Sequence, residues 1–159
     1  MKNQLFSLAT AIVFVAVILV GTGSRGVSAQ EWKGGRTIVG TWQTVVTPRV
    51  CATGAPLPIT FPGILTFEQG GTMTGTSTAV SSVYGVWDRL RGFSQYSFSS
   101  ISQRYSAAGA FLGNRRIDQN VTIDESGDMF TSEGTFVDTD PAGNPIANGC
   151  SSSAGTRFH

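Results

Sequence analysis

The sequence predicts an all-β fold, an eight-stranded antiparallel up-and-down barrel, and three observations carry that expectation. Short segments of alternating apolar and polar residues are separated by Gly- and Asp-bearing turns, and no window of about 11 residues shows a helical period. Residues 30–159 hold 17 Gly, 16 Thr, 14 Ser and 14 aromatics with few Leu, Lys or Glu, so strong helix formers are scarce. The two cysteines, Cys51 and Cys150, stand where one bridge would join the first strand to the last.

The elements follow in chain order. Residues 5–20 are an apolar stretch broken only by Ser7 and Thr10, behind Lys2 and ahead of Val27-Ser28-Ala29. A basic start, an apolar middle and a small-residue exit predict a secretory signal peptide over 1–29, then a lead-in over 30–36 and one barrel domain over 37–159. Sixteen apolar-stretch residues fall short of the roughly 20 that span a bilayer, so cleavage is expected rather than retention as an anchor, with no stable membrane insertion afterwards. The expected location is secreted or periplasmic, where two cysteines form a disulfide. Removing 29 of 159 residues leaves 130, one domain's worth. Lys2 and Arg25 leave with the signal, so Lys plus Arg falls from 11 to 9 against 10 acidic residues, a net charge of −1 that offers no basic surplus to a nucleic acid.

Eight strands are expected, over 37–47, 64–68, 72–78, 83–88, 93–105, 114–124, 128–138 and 146–158. The sixth alternates most clearly, with Ile117, Gln119, Val121 and Ile123 on one face and Asp118, Asn120, Thr122 and Asp124 on the other. The seventh sets Phe130, Ser132, Gly134 and Phe136 against Met129, Thr131, Glu133 and Thr135. One dry and one wet face mark antiparallel strands around a single core. All six prolines lie in 48–62 and 141–145, which are therefore expected to be loops or edges. In a meander the longer connections, 48–63, 79–82, 106–113 and 139–145, collect at one end, a mouth. The tight ones, 69–71, 89–92 and 125–127, collect at the other, a base. Strand eight then lies beside strand one, and a Cys51–Cys150 bridge would staple the closing seam.

Gly40-Thr41-Trp42, at the start of the first strand of such a barrel, resembles the signature of the lipocalins and wider calycins. That resemblance implies that Trp42 closes the base, that a basic residue near the end of the last strand, here Arg157, packs over it, and that the cup above holds a ligand. The T-D-Y-type segment after strand six and the C-terminal helix of lipocalins are absent, so the chain looks like a short relative of a bacterial kind. Gly40-Thr41-Trp42 with Gly71-Thr72-Met73-Thr74-Gly75-Thr76 also resembles the opening strands of avidin-type barrels. Those wall their ligand with later Trp residues, and none follows Trp87 here, so a biotin site is not expected. Trp87, in Gly85-Val86-Trp87, is expected to be a second plug residue at the base.

Chemistry-bearing motifs are few. The single His, His159, ends the chain, which leaves a His-based triad without support. Disulfide-bonded Cys51 and Cys150 cannot ligate zinc, and phosphate-binding loops are missing. Asp138-Thr139-Asp140-Pro141-Ala142-Gly143 opens like a calcium loop, but Ala142 lacks the third oxygen ligand and no bidentate Glu follows; an Asp-Pro turn explains it better. No metal and no cofactor are expected. Glu68, Asp88 and Glu133 are expected on the surface rather than as a catalytic pair, and Arg89, Arg91, Arg115 and Arg116 as turn and edge charges. Asn120-Val121-Thr122 is a glycosylation sequon only in a eukaryotic secretory pathway.

The leading expectation is a secreted binding protein for one small, mostly apolar molecule. Leu65, Phe67, Met73, Tyr96, Phe98, Phe130 and Phe136 would line the cup, with Phe61 and Phe111 at its rim. Small inward residues such as Gly75, Ser132 and Gly134 would leave room. Two alternatives stand beside it: an extracellular or cell-envelope interaction protein with a solid core and recognising mouth loops, and a barrel isomerase or cyclase of the allene oxide cyclase or dirigent type. Interior void volume separates the first two.

Overall fold

The computed structural model describes residues 36–159; the expected signal peptide and all but the last residue of the lead-in lie outside the described residues. Eight strands follow one another: β1 (Gly40–Arg49), β2 (Phe61–Phe67), β3 (Thr72–Ser77), β4 (Val80–Arg91), β5 (Gln95–Tyr105), β6 (Phe111–Ile123), β7 (Met129–Thr139) and β8 (Pro145–Arg157). Each pairs antiparallel with the next and β8 pairs with β1, so the sheet closes on itself. This is an up-and-down barrel, compatible with a lipocalin-like fold. Its stagger can be followed through Cα partners, from Gly40 to Phe67, Met73, Gly85, Ser100, Ile117, Phe136 and Gly149. Gly149 precedes Cys150, which faces Arg49, so the circuit re-enters β1 at Val50, ten residues beyond its start. Eight strands at such a stagger enclose a space that side chains can fill or that one small ligand can share with them.

Connections 50–60, 78–79, 106–110 and 140–144 fall at the mouth, and 68–71, 92–94 and 124–128 at the base. The Cys51–Cys150 disulfide forms across the seam, joining residues 99 positions apart in sequence with Cα atoms 5.2 Å apart. It signals an oxidising compartment. Among the described residues no helix is long and apolar enough to cross a membrane.

Three local expectations need correction. Pro48 and Pro62 lie inside β1 and β2, opposite Ser151 and Val45. A proline lacks only the donor, and both carbonyls still accept, Pro48 from Leu57 N–H at 2.9 Å and Pro62 from Thr78 N–H at 3.0 Å. The turn expected at 89–92 falls at 92–94, because an irregularity between Arg89 and Arg91 lets β4 run three residues past Asp88. Phe61 and Phe111 open β2 and β6 rather than sitting in mouth loops.

Gly40 explains the first residue of the G-x-W triplet. Its φ is +132°, and a Cβ there would lie 2.7 Å from the Arg157 guanidinium. A side chain would suffer strained backbone and displace the arginine that covers Trp42. Sequence, local geometry and packing thus converge on one residue at the base.

Candidate functional site

Because strand residues alternate, the interior can be followed upward from the base as successive inward positions. The lowest ring is Trp42, Phe67, Met73, Trp87, Tyr96, Ile123, Phe130 and Arg157. Six of these eight are fully buried or nearly so, with Trp87 and Arg157 partly covered. Trp42 and Phe130 meet edge-to-face at 5.0 Å, Phe67 packs on Phe130 and on Phe98, and Trp87 meets Tyr96 at 5.8 Å. Ile38, wholly buried, plugs the ring from below, and its carbonyl accepts from Trp42 Nε1 at 2.8 Å. The Arg157 guanidinium stands 4.2 Å from the Trp42 ring. It donates to the carbonyls of Val39, Thr37 and Gly127 at 2.6–3.0 Å. Burial pushes its pKa below the ordinary value, opposed by the Asp128 carboxylate 3.6 Å away. Arg157 therefore ties the N-terminal approach to the turn before β7.

Two to six residues higher along each strand the side chains shrink and many become polar. Thr44, Ser100, Gln119, Ser132, Ser151 and Ser153 are buried, with Val46, Val83 and Ile117 among them. Gln119 Nε2 donates to Ser151 Oγ at 3.0 Å, and the hydroxyls of Ser132 and Ser153 bond each other. Ser100 Oγ, Ser102 Oγ and Gln119 Oε1 are buried without a partner among the described residues. Near this level lies a cavity of about 60 Å³, bordered by Thr44, Val46, Leu65, Phe98, Ser100 and Gln119. Pockets for drug-sized molecules measure roughly 300–1,000 Å³, so this one, with Val80, Val83 and Ile117 also on its border, is too small for a molecule of that size.

The topmost inward positions are charged. Asp138, almost completely buried, accepts from Arg115 Nε and Nη2 at 2.7 and 2.8 Å, and Arg104 Nε lies 3.5 Å from the same carboxylate. The Arg115 guanidinium stacks 4.6 Å from the Phe136 ring. That ring lies across its partner Gly149, where a Cβ would come within 2.6 Å of it. Phe130 lies across Gly155 in the same way. Glycines on β8 thus let two aromatic side chains lie down along the wall.

Of the expected cup residues, Leu65 and Phe98 border the cavity. Phe67, Met73, Tyr96 and Phe130 pack together in the filled base, and Phe136 is half-buried higher up. Phe61 is half-buried at the start of β2, and Phe111 packs 5.8 Å from Tyr105, whose hydroxyl donates to the exposed Gln103. Glu68, Asp88 and Glu133 are exposed. Arg115 corrects its expected place: it is no edge charge but turns inward to Asp138. Asp138 was expected to begin a turn, yet it continues the inward series of Phe130, Ser132, Gly134 and Phe136. Carrying the period of two one step further on β7, and back from Ile117 to Arg115 on β6, reveals the pair.

Chemically, the interior offers neutral hydrogen-bonding groups around a small space, beneath one carboxylate shared by two guanidiniums. Its serine hydroxyls have no adjacent histidine, since His159 lies by Asp128 at the base. Among the described residues no group of three or more His, Cys, Asp or Glu side chains is placed to hold a metal ion. No family model, curated protein or solved structure matches the chain.

Proposed function

We propose that this is an exported interaction protein: a disulfide-closed barrel with a mostly solid core that recognises its partner through the mouth end. One observation carries the proposal. Among the described residues, the interior cavity bordered by Leu65, Phe98 and Ser100 measures about 60 Å³, whereas Val50, Leu57, Ile59, Phe111, Leu112 and Ile146 stand exposed around the mouth. Leu90, Phe93, Met129 and Phe158 are exposed toward the base as well, but the mouth set includes a loop fixed by the disulfide, and exposed apolar side chains on such a rigid support mark a contact surface. The first mouth loop is itself held in shape. Val50 N–H donates to the Ala55 carbonyl at 2.9 Å, and Arg49 reaches Gly54 O at 2.7 Å and Ser152 Oγ at 2.6 Å. Together with the disulfide, these contacts favour a preformed surface that orders little on binding. Export rests on the N-terminal sequence pattern and agrees with the disulfide. A distant relation to the calycins rests on Gly40, Trp42 and Arg157.

A second reading keeps a ligand in the cup, one small enough for the cavity between Leu65, Phe98 and Ser100. The unpaired Ser100 Oγ and Gln119 Oε1 favour it, since a buried polar atom left without a partner costs about 1–3 kcal/mol.

Titration with an environment-sensitive apolar dye separates these. On the interaction reading the dye binds weakly, Leu57→Asp with Ile59→Asp abolishes the signal, and Ser100→Leu, which fills the cavity, leaves it unchanged. One-to-one dye binding lost in Ser100→Leu and kept in the loop variant would return the function to the cup.

A further inference from the structure

Beyond the mouth loops, the outer wall carries a groove of about 450 Å³ over β4, β5 and β6. Its apolar floor is Tyr84, Ile101 and Tyr105, which are 62, 48 and 50 % exposed. Tyr84 and Ile101 face each other across β4 and β5, and Tyr105 lies four residues further along β5 on the same outward face. At about 3.3 Å per residue that is ~13 Å. Between them stands Gln103, and opposite Gln103 on β6 is Asn114; Ser82 completes the rim.

From this arrangement we propose that the groove binds a neutral oligosaccharide. The lining contains no charged side chain. The nearest charges on that face, Arg116 and Asp118, neutralise each other through a 3.0 Å ion pair. A phosphorylated, sulfated or acidic ligand therefore finds no counter-charge. Flat, exposed tyrosine rings match the C–H faces of sugar rings, because an aromatic face attracts positively polarised hydrogens and hides apolar area from water. The amides supply what the hydroxyls of a sugar need, paired donors and acceptors at fixed positions. Gln103 is already oriented: its Oε1 accepts from the Tyr105 hydroxyl at 2.9 Å, so its NH₂ group remains to donate outward. The Tyr105 ring is held in turn by Phe111, 5.8 Å between centroids. This pre-orders both the stacking surface and its neighbouring amide, which lowers the entropy lost on binding. The ~13 Å between the tyrosine positions exceeds what one ring covers, so the occupant is an oligomer rather than a monosaccharide.

The test is native affinity electrophoresis of the full mature protein through gels containing xylan, hydroxyethylcellulose, glucomannan or soluble starch. Calorimetry with a six-unit fragment of whichever polymer retards it follows. The expected result is retardation by at least one polymer, with Tyr84→Ala and Tyr105→Ala each weakening binding tenfold or more and Tyr84→Phe retaining most of it. Because both tyrosines are exposed, the variants keep the wild-type Tm, which excludes unfolding as the cause. Three results overturn the proposal: no retardation by any of the four polymers, retardation indifferent to both alanine variants, or a wild-type dimer in sedimentation that Tyr84→Ala dissociates. The last would make the face a contact between copies. None of these results bears on the mouth loops, so the two proposals fail separately.

Discussion

The lower and upper halves of the barrel interior use the same strands, the same alternation and the same inward direction, yet they are built of opposite materials. At the base, rings of Trp42, Phe67, Tyr96 and Phe130 interlock with Ile38 beneath them, and nearly every polar atom there has a partner. Higher up, the inward residues are Thr44, Ser100, Gln119, Ser151 and Ser153, then Arg104, Arg115 and Asp138. Burial of aromatic area supplies stability in the first half at about 25 cal/mol per Å². In the second half burial of hydroxyls and charges is close to neutral, or costs stability where a partner is missing. The contrast shows where a barrel of this size keeps its core and where it tolerates other demands. One end is a stopper, and above it lies a small cavity that aliphatic and hydroxyl side chains border together.

The contrast can be broken most forcefully at Trp42. Trp42→Ala removes the largest buried ring and the surface on which Arg157 stacks, and a loss of about 3–5 kcal/mol is expected by denaturant unfolding. A nearly neutral result would mean that the base is not the core. Next comes the seam. Replacing Cys51 and Cys150 together by Ser frees a loop of about 100 residues in the unfolded chain, and a loss of about 2–5 kcal/mol is expected in non-reducing denaturation curves. Non-reduced peptide mapping of the wild type should yield one Cys51–Cys150 cross-linked species.

In the upper half the expected effects are smaller. Asp138→Asn leaves Arg115 and Arg104 facing a neutral amide in a partly wetted chamber, for which about 1–3 kcal/mol is expected. Arg115→Met made in the same background should recover part of that loss, a coupling that a double-mutant cycle measures. Ser100→Ala deletes a hydroxyl that has no partner, so its stability should stay within about 0.5 kcal/mol of wild type or rise. A loss above 1 kcal/mol would show that an ordered water or ligand satisfies Ser100 in solution.

The two ends can also be compared through their turns. Asp124, before β7, accepts from Ser126 Oγ and from the Gly127 and Met129 amides, and its pKa is lowered, chiefly by the Ser126 hydroxyl. Asp140, before β8, is lowered chiefly by the Asn144 side chain. A carboxylate depressed in the folded state stabilises above its unfolded value of about 3.9, and that contribution disappears as pH falls through the folded value. Carboxyl NMR titration should place both midpoints below the ordinary Asp value. Ser126→Ala should raise Asp124 alone, and Asn144→Ala should raise Asp140 alone.

Much of this arrangement was legible in the chain. Eight alternating segments, the turn residues between them and two cysteines at the ends of the meander were enough for strand number, antiparallel order and closure. Gly40, Trp42 and Arg157 were enough for the stopper. What escaped was local and non-local at once. Pro48 and Pro62 were taken out of strands by a rule about donors, while their carbonyls remained free to accept. Charge alone puts Arg115 at an edge and the Asp-Pro pattern puts Asp138 in a turn, although each continues the inward series of its own strand.

Alternation and turn chemistry act over a few residues, so strand order, facing and the closing bridge follow from the sequence alone. Filling is different. Whether Phe130 and Phe136 project across the cup or lie along the wall depends on Gly155 and Gly149, which register places opposite them on β8. Whether an arginine is solvated or buried depends on a carboxylate contributed by the neighbouring strand. Such facts arise only when a stagger of ten residues around eight strands brings distant positions to one level. Cavity volume, the charged pair and the tyrosine groove were therefore decided by tertiary structure, because each is a sum over side chains that no single strand contains.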